Sequence, residues 1–244
     1  MRKDKPKKRV MKKRAKDAPA DEPLEFKSAV MQRIQDLVRG GYHRYTCGVI
    51  STSRLPALRA KFAARYTTDA SRAERQRRRR NGLANAWLIV HRPPKAIRAV
   101  WWLLVEDGDH LAHSTESLRD ARDRPDRLIM PDPGIGRKNA FAEVERAFEL
   151  VKLDDRWTWR MSSEMKTAWR DRIRSAARTK DTEKGDEEWR QAMWSLRRMP
   201  GFRGIRSDAY DLVKLARHEW KRNRSGPPVA LPKLPGWTCR LPHV

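Results

Sequence analysis

The sequence predicts an α+β fold in which an antiparallel sheet is combined with several helices. Segments rich in β-branched and aromatic residues, such as 84–91 and 98–105, are typical of strands. Segments with apolar residues at helical spacing, such as 24–39 and 205–224, lie before and after them. The 244 residues include 39% hydrophobic residues, enough for one large domain with a core although 36% of the residues are charged.

Four elements are predicted in the first third of the chain. A helix at 24–39 has apolar residues every three or four positions and ends at two glycines. A strand at 42–50 alternates and is rich in β-forming residues. Serine and threonine residues then cap a helix that ends at about Tyr66. The fourth element is an arginine-rich helix over about 68–82, closed by Asn81-Gly82.

The strands at 84–91 and 98–105 are separated by two prolines and are followed by a turn and a short helix at 114–121. One of Trp101 and Trp102 is expected to point outward, as a stacking platform for a base or as the cover of a helix. In the last third we predict a strand at 156–161, a helix ending at about 178, a polar hinge at 179–186, and helices at 187–198 and 205–224.

This order of elements is compatible with a ferredoxin-like antiparallel sheet, a split βαβ arrangement with helices on one face. The arginine-rich helix would be an insertion, and further helices would follow toward the C-terminus. We divide the chain into a basic tail at 1–23, an α+β nucleic-acid-binding domain at 24–224, and a proline-rich segment at 225–244. The tail is expected to be mobile until it meets phosphate.

The charge balance predicts a polyanionic partner. The chain has 56 Lys and Arg against 31 Asp and Glu, a net charge of +25. We expect nucleic acid rather than a membrane, because no apolar stretch is long enough to span one and no leader peptide is recognisable. Two distant cysteines, Cys47 and Cys239, suggest reduced thiols and a cytoplasmic location.

The strongest single motif is the run of four arginines, since each guanidinium presents a planar fork of donors that matches phosphate oxygens. An arginine-rich helix can lie along RNA and contact phosphates on both walls of a groove. The alternative is a solvated basic face without a partner. The predicted RNA-binding residues of this helix are Arg72, Arg75, Arg77, Arg78, Arg79 and Arg80.

Two further segments are candidate sites. Metal-free RNA cleavage needs a proton carrier and positive charge at the phosphate, which His43 with Arg39 and Arg44 would supply; the alternative is a plain helix-to-strand turn. The glycine-containing segment 200–206 leads into a basic helix and would bind phosphate near the helix start; the alternative is an ordinary helix with a solvated face. Its candidate RNA contacts are Arg203, Arg206, Lys214, Arg217 and Lys221.

A third segment, 106–113, combines carboxylates with histidines. Asp107, Asp109 and His110 would be the ligands of a metal-dependent nuclease. The alternative is an ordinary turn, in which the same residue types are common. We expect no metal site and no cofactor, because neither a P-loop nor a dinucleotide fingerprint is recognisable.

The arginine-rich helix, the basic glycine-containing loop and the expected lack of a metal site resemble the RRM-like endoribonucleases that process the repeats of CRISPR precursor RNA, and most closely the plasmid-borne type IV version. The resemblance implies that 71–81 is a helical finger and that Arg39, Arg44 and Arg240 lie near the cut. It also implies a protein of antiviral defence that keeps the crRNA hairpin within an effector complex, with other subunits as partners and DNA contacted through the complex.

The glycine loop departs from that family, because it precedes a helix rather than a final strand. The Arg- and Trp-rich composition also resembles accessory proteins of plasmids and integrative elements. The alternative function is therefore a DNA-binding protein without catalytic activity.

Overall fold

The computed structural model describes residues 24–130, 148–180 and 182–226. Within these ranges the chain is a mixed α+β structure with antiparallel sheets. The helices are α1 Lys27–Arg39, α2 Leu55–Tyr66, α3 Arg72–Arg80, α4 Ala112–Thr115, α5 Ser163–Arg178, α6 Thr182–Arg197 and α7 Arg203–Asn223. The strands are β1 Arg44–Ser51, β2 Ala86–His91, β3 Arg98–Val105, β4 Arg119–Asp120, β5 Ile129–Met130, β6 Phe148–Leu153 and β7 Arg156–Met161.

The first sheet has the order β2-β3-β1-β4, and every neighbouring pair is antiparallel. β1 and β3 form its centre and are in register from Arg44 opposite Val105 to Ser51 opposite Arg98. β1 and β2 both run antiparallel to β3 and therefore in the same direction as each other. The chain connects them by a crossover that contains α2 and α3.

Both faces of the first sheet are covered. On one face Leu88 and Leu103 pack with Phe62 and Tyr66 of α2. On the other face the side chains that alternate with these pack against α1 and the second sheet, and Trp102 is completely buried among them. The prediction that helices occupy one face is therefore wrong. Of the tryptophan pair, Trp101 is the less buried member and packs edge-on against Phe62 at a centroid distance of 5.4 Å, so it covers a helix.

The second sheet has the order β5-β6-β7. The strand predicted at 156–161 is confirmed as β7, but it pairs with β6 and not with the first sheet. β6 was not expected from the sequence. The Trp159 indole donates a hydrogen bond of 2.8 Å to the carbonyl of Met31 in α1, which joins the second sheet to the first through that helix.

α7 crosses β7 at a glycine. A Cβ on Gly204 would lie 2.5 Å from the carbonyl oxygen of Trp159, so this close approach requires the absence of a side chain. The Gly204 amide donates to Thr158 Oγ1 over 3.1 Å, and the buried carboxylate of Asp208 accepts from the Met161 amide over 3.0 Å. These contacts fix the first turns of α7 on the second sheet.

Two predicted boundaries are wrong. The helix expected at 114–121 is the single turn α4, because the chain becomes extended at Glu116 and then pairs β4 with β1. The hinge expected at 179–186 is shorter, since α6 begins at Thr182. No helix in the described ranges is long and apolar enough to cross a membrane.

Candidate nucleic-acid interface

The arginine-rich segment forms the predicted helix α3. The Ser71 hydroxyl accepts a hydrogen bond of 3.2 Å from the Glu74 amide, which caps its first turn. Asn81 ends the helix and Gly82, at a φ of 73°, reverses the chain. The six arginines of α3 nevertheless occupy three different environments.

Arg75 is buried and anchors α3 to the first sheet. Its guanidinium donates to the carbonyls of Thr68, Ala70 and Ala86, and it lies 3.7 Å from the ring centroid of Trp87. Only 5% of the residue is exposed. The predicted contact of Arg75 with RNA is therefore wrong, because its donors already serve the backbone of this protein.

Arg78 and Arg79 are partly engaged in the same junction. Arg78 donates to the carbonyl of Ala84 over 2.9 Å, and Arg79 binds the carboxylate of Glu106. Burial opposes the charge on Glu106, but hydrogen bonds from Arg79 and Asn85 outweigh it and lower the pKa of Glu106. Glu106 therefore stays ionised and holds the C-terminal end of α3 beside β3.

Arg72, Arg77 and Arg80 lie on the outer side of α3 and are exposed. The Arg77 side chain is 75% exposed and has only a 4.0 Å contact with Glu74, which is a weak surface pair. These three residues, which we call the outer arginines, can meet phosphate, and Arg79, whose side chain is about half exposed, lies next to them in the helix.

An open cleft of about 340 Å³ lies at the C-terminal end of α3. It unites three segments that the sequence places far apart: the α1–β1 turn, the end of α3, and the residues that follow β3. The lining residues are Gly40, Gly41, His43, Arg79, Gly82, Leu83, Ala84, Glu106 and Asp107.

His43 is held in this cleft by Asp107, whose carboxylate oxygen lies 3.3 Å from His43 Nδ1. The same carboxylate accepts from Arg44 Nε over 3.2 Å and from Arg122 over 2.9 Å. Burial opposes the charge on Asp107, but the hydrogen bonds from His43 and Arg44 outweigh it and lower its pKa. Asp107 therefore stays ionised and fixes the orientation of the imidazole.

Asp120 completes this network from the neighbouring strand. The register places β4 so that Asp120 lies opposite Arg44, and its carboxylate binds Arg122 at 2.6 Å and Arg44 at 3.3 Å. The hydrogen bond from Arg122 lowers the pKa of Asp120. No pattern in the sequence indicates Arg122, since its two carboxylate partners become neighbours only through strand pairing.

Of the predicted catalytic residues, His43 lines the cleft. Arg44 is beside it but is bound by two carboxylates. Arg39 is the last residue of α1, directly before Gly40 of the cleft, and it is exposed with a 3.8 Å contact to Asp36. Arg240 lies outside the described residues.

Of the three residues of the metal-nuclease alternative, His110 and Asp107 are engaged in structural contacts and Asp109 is exposed. His110 is buried, with Nε2 3.3 Å from the carbonyl of Tyr66, while Nδ1 accepts from the Ala112 amide over 3.1 Å. Asp107 belongs to the arginine network described above. In the part of the chain that the structure describes, no group of three or more His, Cys, Asp or Glu side chains could hold a metal ion.

The predicted basic residues of α7 share one exposed side of that helix. Spacings of three and four residues align them with Tyr210, which is 60% exposed and lies 4.5 Å from the Lys214 ammonium. Arg203, at the start of this row, binds Asp154. We call this row the α7 stripe; it comprises Arg203, Arg206, Tyr210, Lys214, Arg217 and Lys221. Tyr210 was not among the residues predicted from the sequence, although its spacing could have indicated it.

Comparison with known proteins adds no assignment to this geometry. No family model, no curated protein and no solved structure matches the chain.

Proposed function

We propose that the protein binds structured RNA through the outer arginines of α3 and cleaves it, without a metal ion, in the cleft that contains His43. The observation that carries this proposal is the position of the cleft at the end of α3, where an oriented imidazole lies beside a surface of exposed guanidinium groups. Arginine recognises phosphate through paired donors. RNA lying along α3 would thus reach His43.

The chemistry would depend on proton transfer by His43. Asp107 occupies Nδ1 and leaves Nε2 to take a proton from a 2′-hydroxyl or to give one to the leaving oxygen. Gly40, Gly41 and Gly82 line the same cleft and lack side chains that would keep a phosphate away from the backbone. Arg79 is the cation nearest to such a phosphate, and it would be shared between the phosphate and Glu106.

The topology supports a ferredoxin-like arrangement of the first sheet. The order β2-β3-β1-β4, with β1 and β2 both antiparallel to β3, is compatible with a split βαβ sheet. The face on which RRM domains stack bases is covered here, since Trp102 and Tyr45 are buried on it. RNA would therefore contact α3, the cleft and the α7 stripe instead of the sheet.

These features would suit processing of CRISPR precursor RNA in the cytoplasm, with retention of the hairpin in an effector complex. The alternative is a non-enzymatic DNA-binding accessory protein of a plasmid or integrative element. The α7 stripe favours that alternative as much as RNA binding, because phosphate contacts carry no sequence information and occur on both nucleic acids.

Replacement of the outer arginines tests the binding surface. The variant Arg72→Gln, Arg77→Gln, Arg80→Gln should bind hairpin RNA about tenfold or more weakly, since it loses three exposed phosphate contacts. The dependence of log K on log salt should become shallower by about two to three. Both quantities are measurable by fluorescence anisotropy of a labelled hairpin between low and physiological salt.

A variant with equal loss of charge is the control: Arg54→Gln, Lys61→Gln, Arg65→Gln changes exposed residues around α2. It should bind within about twofold of wild type. Equal affinities of the two variants would remove α3 from the interface. If duplex DNA displaced the hairpin at equal concentration, the accessory-protein alternative would replace RNA processing.

A further inference from the structure

A second basic groove lies on the second sheet, away from the His43 cleft. It consists of two adjoining cavities of about 390 and 320 Å³ that share Arg160 and Lys166. No residue lines both this groove and the His43 cleft. Its walls are the loop after β4 with β5, strands β6 and β7, the N-terminal half of α5 and the middle of α7. We call it the second-sheet groove.

The charge of the groove is mainly positive. Its cations are Arg124, Arg127, Lys152, Arg160, Lys166 and Arg170, and its carboxylates are Glu149, Asp208 and Asp211. Glu149 is bound by Arg127 at 3.2 Å. Asp208 is 2% exposed and is bound by Arg160, with Lys166 at 3.8 Å. The two paired carboxylates therefore orient cations at the groove and leave an excess of positive charge.

The central cation of the groove, Arg160, has a fixed position. Arg160 is held by the buried carboxylate of Asp208, which raises the pKa of its guanidinium and also receives the Met161 amide. Ser163 belongs to the first turn of α5, which is fixed because the Ser162 hydroxyl accepts a hydrogen bond of 3.1 Å from the Met165 amide. A fixed guanidinium and several neighbouring cations together fit phosphate groups.

The rest of the lining decides what kind of phosphate ligand fits. The apolar residues are aliphatic, among them Ile129, Val151 and Leu212, and none of the described residues that line the two cavities is a tryptophan, tyrosine or phenylalanine. Bases would find no stacking partner among these residues, so contacts with them would be confined to the backbone. Two adjoining cavities offer successive sites for phosphate groups, as an extended strand would require.

We propose that the second-sheet groove binds the sugar–phosphate backbone of a single-stranded segment that flanks the RNA hairpin. This inference rests on the proposed RNA binding but not on cleavage. It makes the protein a two-site binder: the outer arginines hold the structured part, and the groove holds the flank regardless of its sequence.

The test uses the full chain and a labelled oligouridylate of about 12 nucleotides, which has no hairpin. The variant Arg124→Gln, Lys152→Gln, Arg170→Gln removes the three exposed cations of the groove and spares the structural Arg160. We expect the affinity for oligouridylate to fall about tenfold and the salt slope to become shallower by about two. The α2 control variant should bind as wild type does, and Arg124→Lys, Arg170→Lys should retain most of the affinity.

The inference is overturned if the groove and control variants bind oligouridylate equally, or if the groove variant loses as much affinity for a blunt RNA duplex of the same length. A failure of the proposed cleavage would look different. The wild-type protein would leave the hairpin RNA uncut but would still bind oligouridylate more tightly than the groove variant does, so the groove assignment would stand. Because the replaced side chains are exposed, each variant should keep the wild-type fold, and circular dichroism checks this.

Discussion

At the scale of single residues, arginines of α3 that look equivalent in sequence have different roles. The guanidinium of Arg75 is buried, where it donates hydrogen bonds to three backbone carbonyls and lies over the ring of Trp87. Arg77, two positions later, is exposed. Helical spacing could predict which arginines share a side of the helix. It could not predict which side is buried, because the partners of Arg75 are backbone carbonyls that carry no sequence signal.

Replacement of Arg75 should therefore affect stability before it affects binding. We expect Arg75→Ala to lower the free energy of unfolding by about 3 kcal/mol or more, since it leaves several buried carbonyls without a donor. Arg77→Ala should change it by less than about 0.5 kcal/mol. Urea denaturation followed by circular dichroism measures both. Equal stability of the two variants would contradict the anchoring role.

At the scale of elements, local patterns predicted α1, α2, α3, α5, α6 and α7 and the strands β1, β2, β3 and β7, although with shifted ends. β6 was missed because the turn that joins it to β7 is Asp154-Asp155. Both residues have positive φ, 47° and 58°, as a two-residue hairpin requires, but the turn lacks the glycine that usually indicates one. β4 was missed since two residues carry no pattern, and pairing with β1 defines it.

The junction between α7 and β7 provides a test at this scale. Gly204→Ala would place a methyl group 2.5 Å from both the Trp159 carbonyl oxygen and Arg160 Cγ. The helix must then move away from the strand, and we expect a loss of about 2 kcal/mol or more in the free energy of unfolding. Ser207→Ala, at an exposed position of the same helix, is the control and should be nearly neutral. A wild-type melting temperature for Gly204→Ala would show that the contact is looser.

At the scale of the whole molecule, the sequence indicated an α+β plan and a basic surface, and both agree with the described structure. It did not indicate that a second sheet covers the first, because the tryptophans that fill this junction read equally well as core or as stacking platforms. The candidate site was predicted in pieces. The fold brings His43, Asp107 and Arg79 to one cleft, and no spacing along the chain gives that proximity.

The central claim is that this cleft cleaves RNA without a metal ion. The most direct measurement follows cleavage of a library of hairpin RNAs, with randomised loops and flanks, by the full chain in excess EDTA. We expect discrete products from wild type. His43→Ala should be at least about 100-fold slower while retaining its affinity, because it removes the proton carrier but none of the outer arginines. His218→Ala, an exposed histidine of α7, should cleave as wild type does. Tight binding of hairpins that stay intact, or cleavage by His43→Ala at the wild-type rate, would contradict the claim.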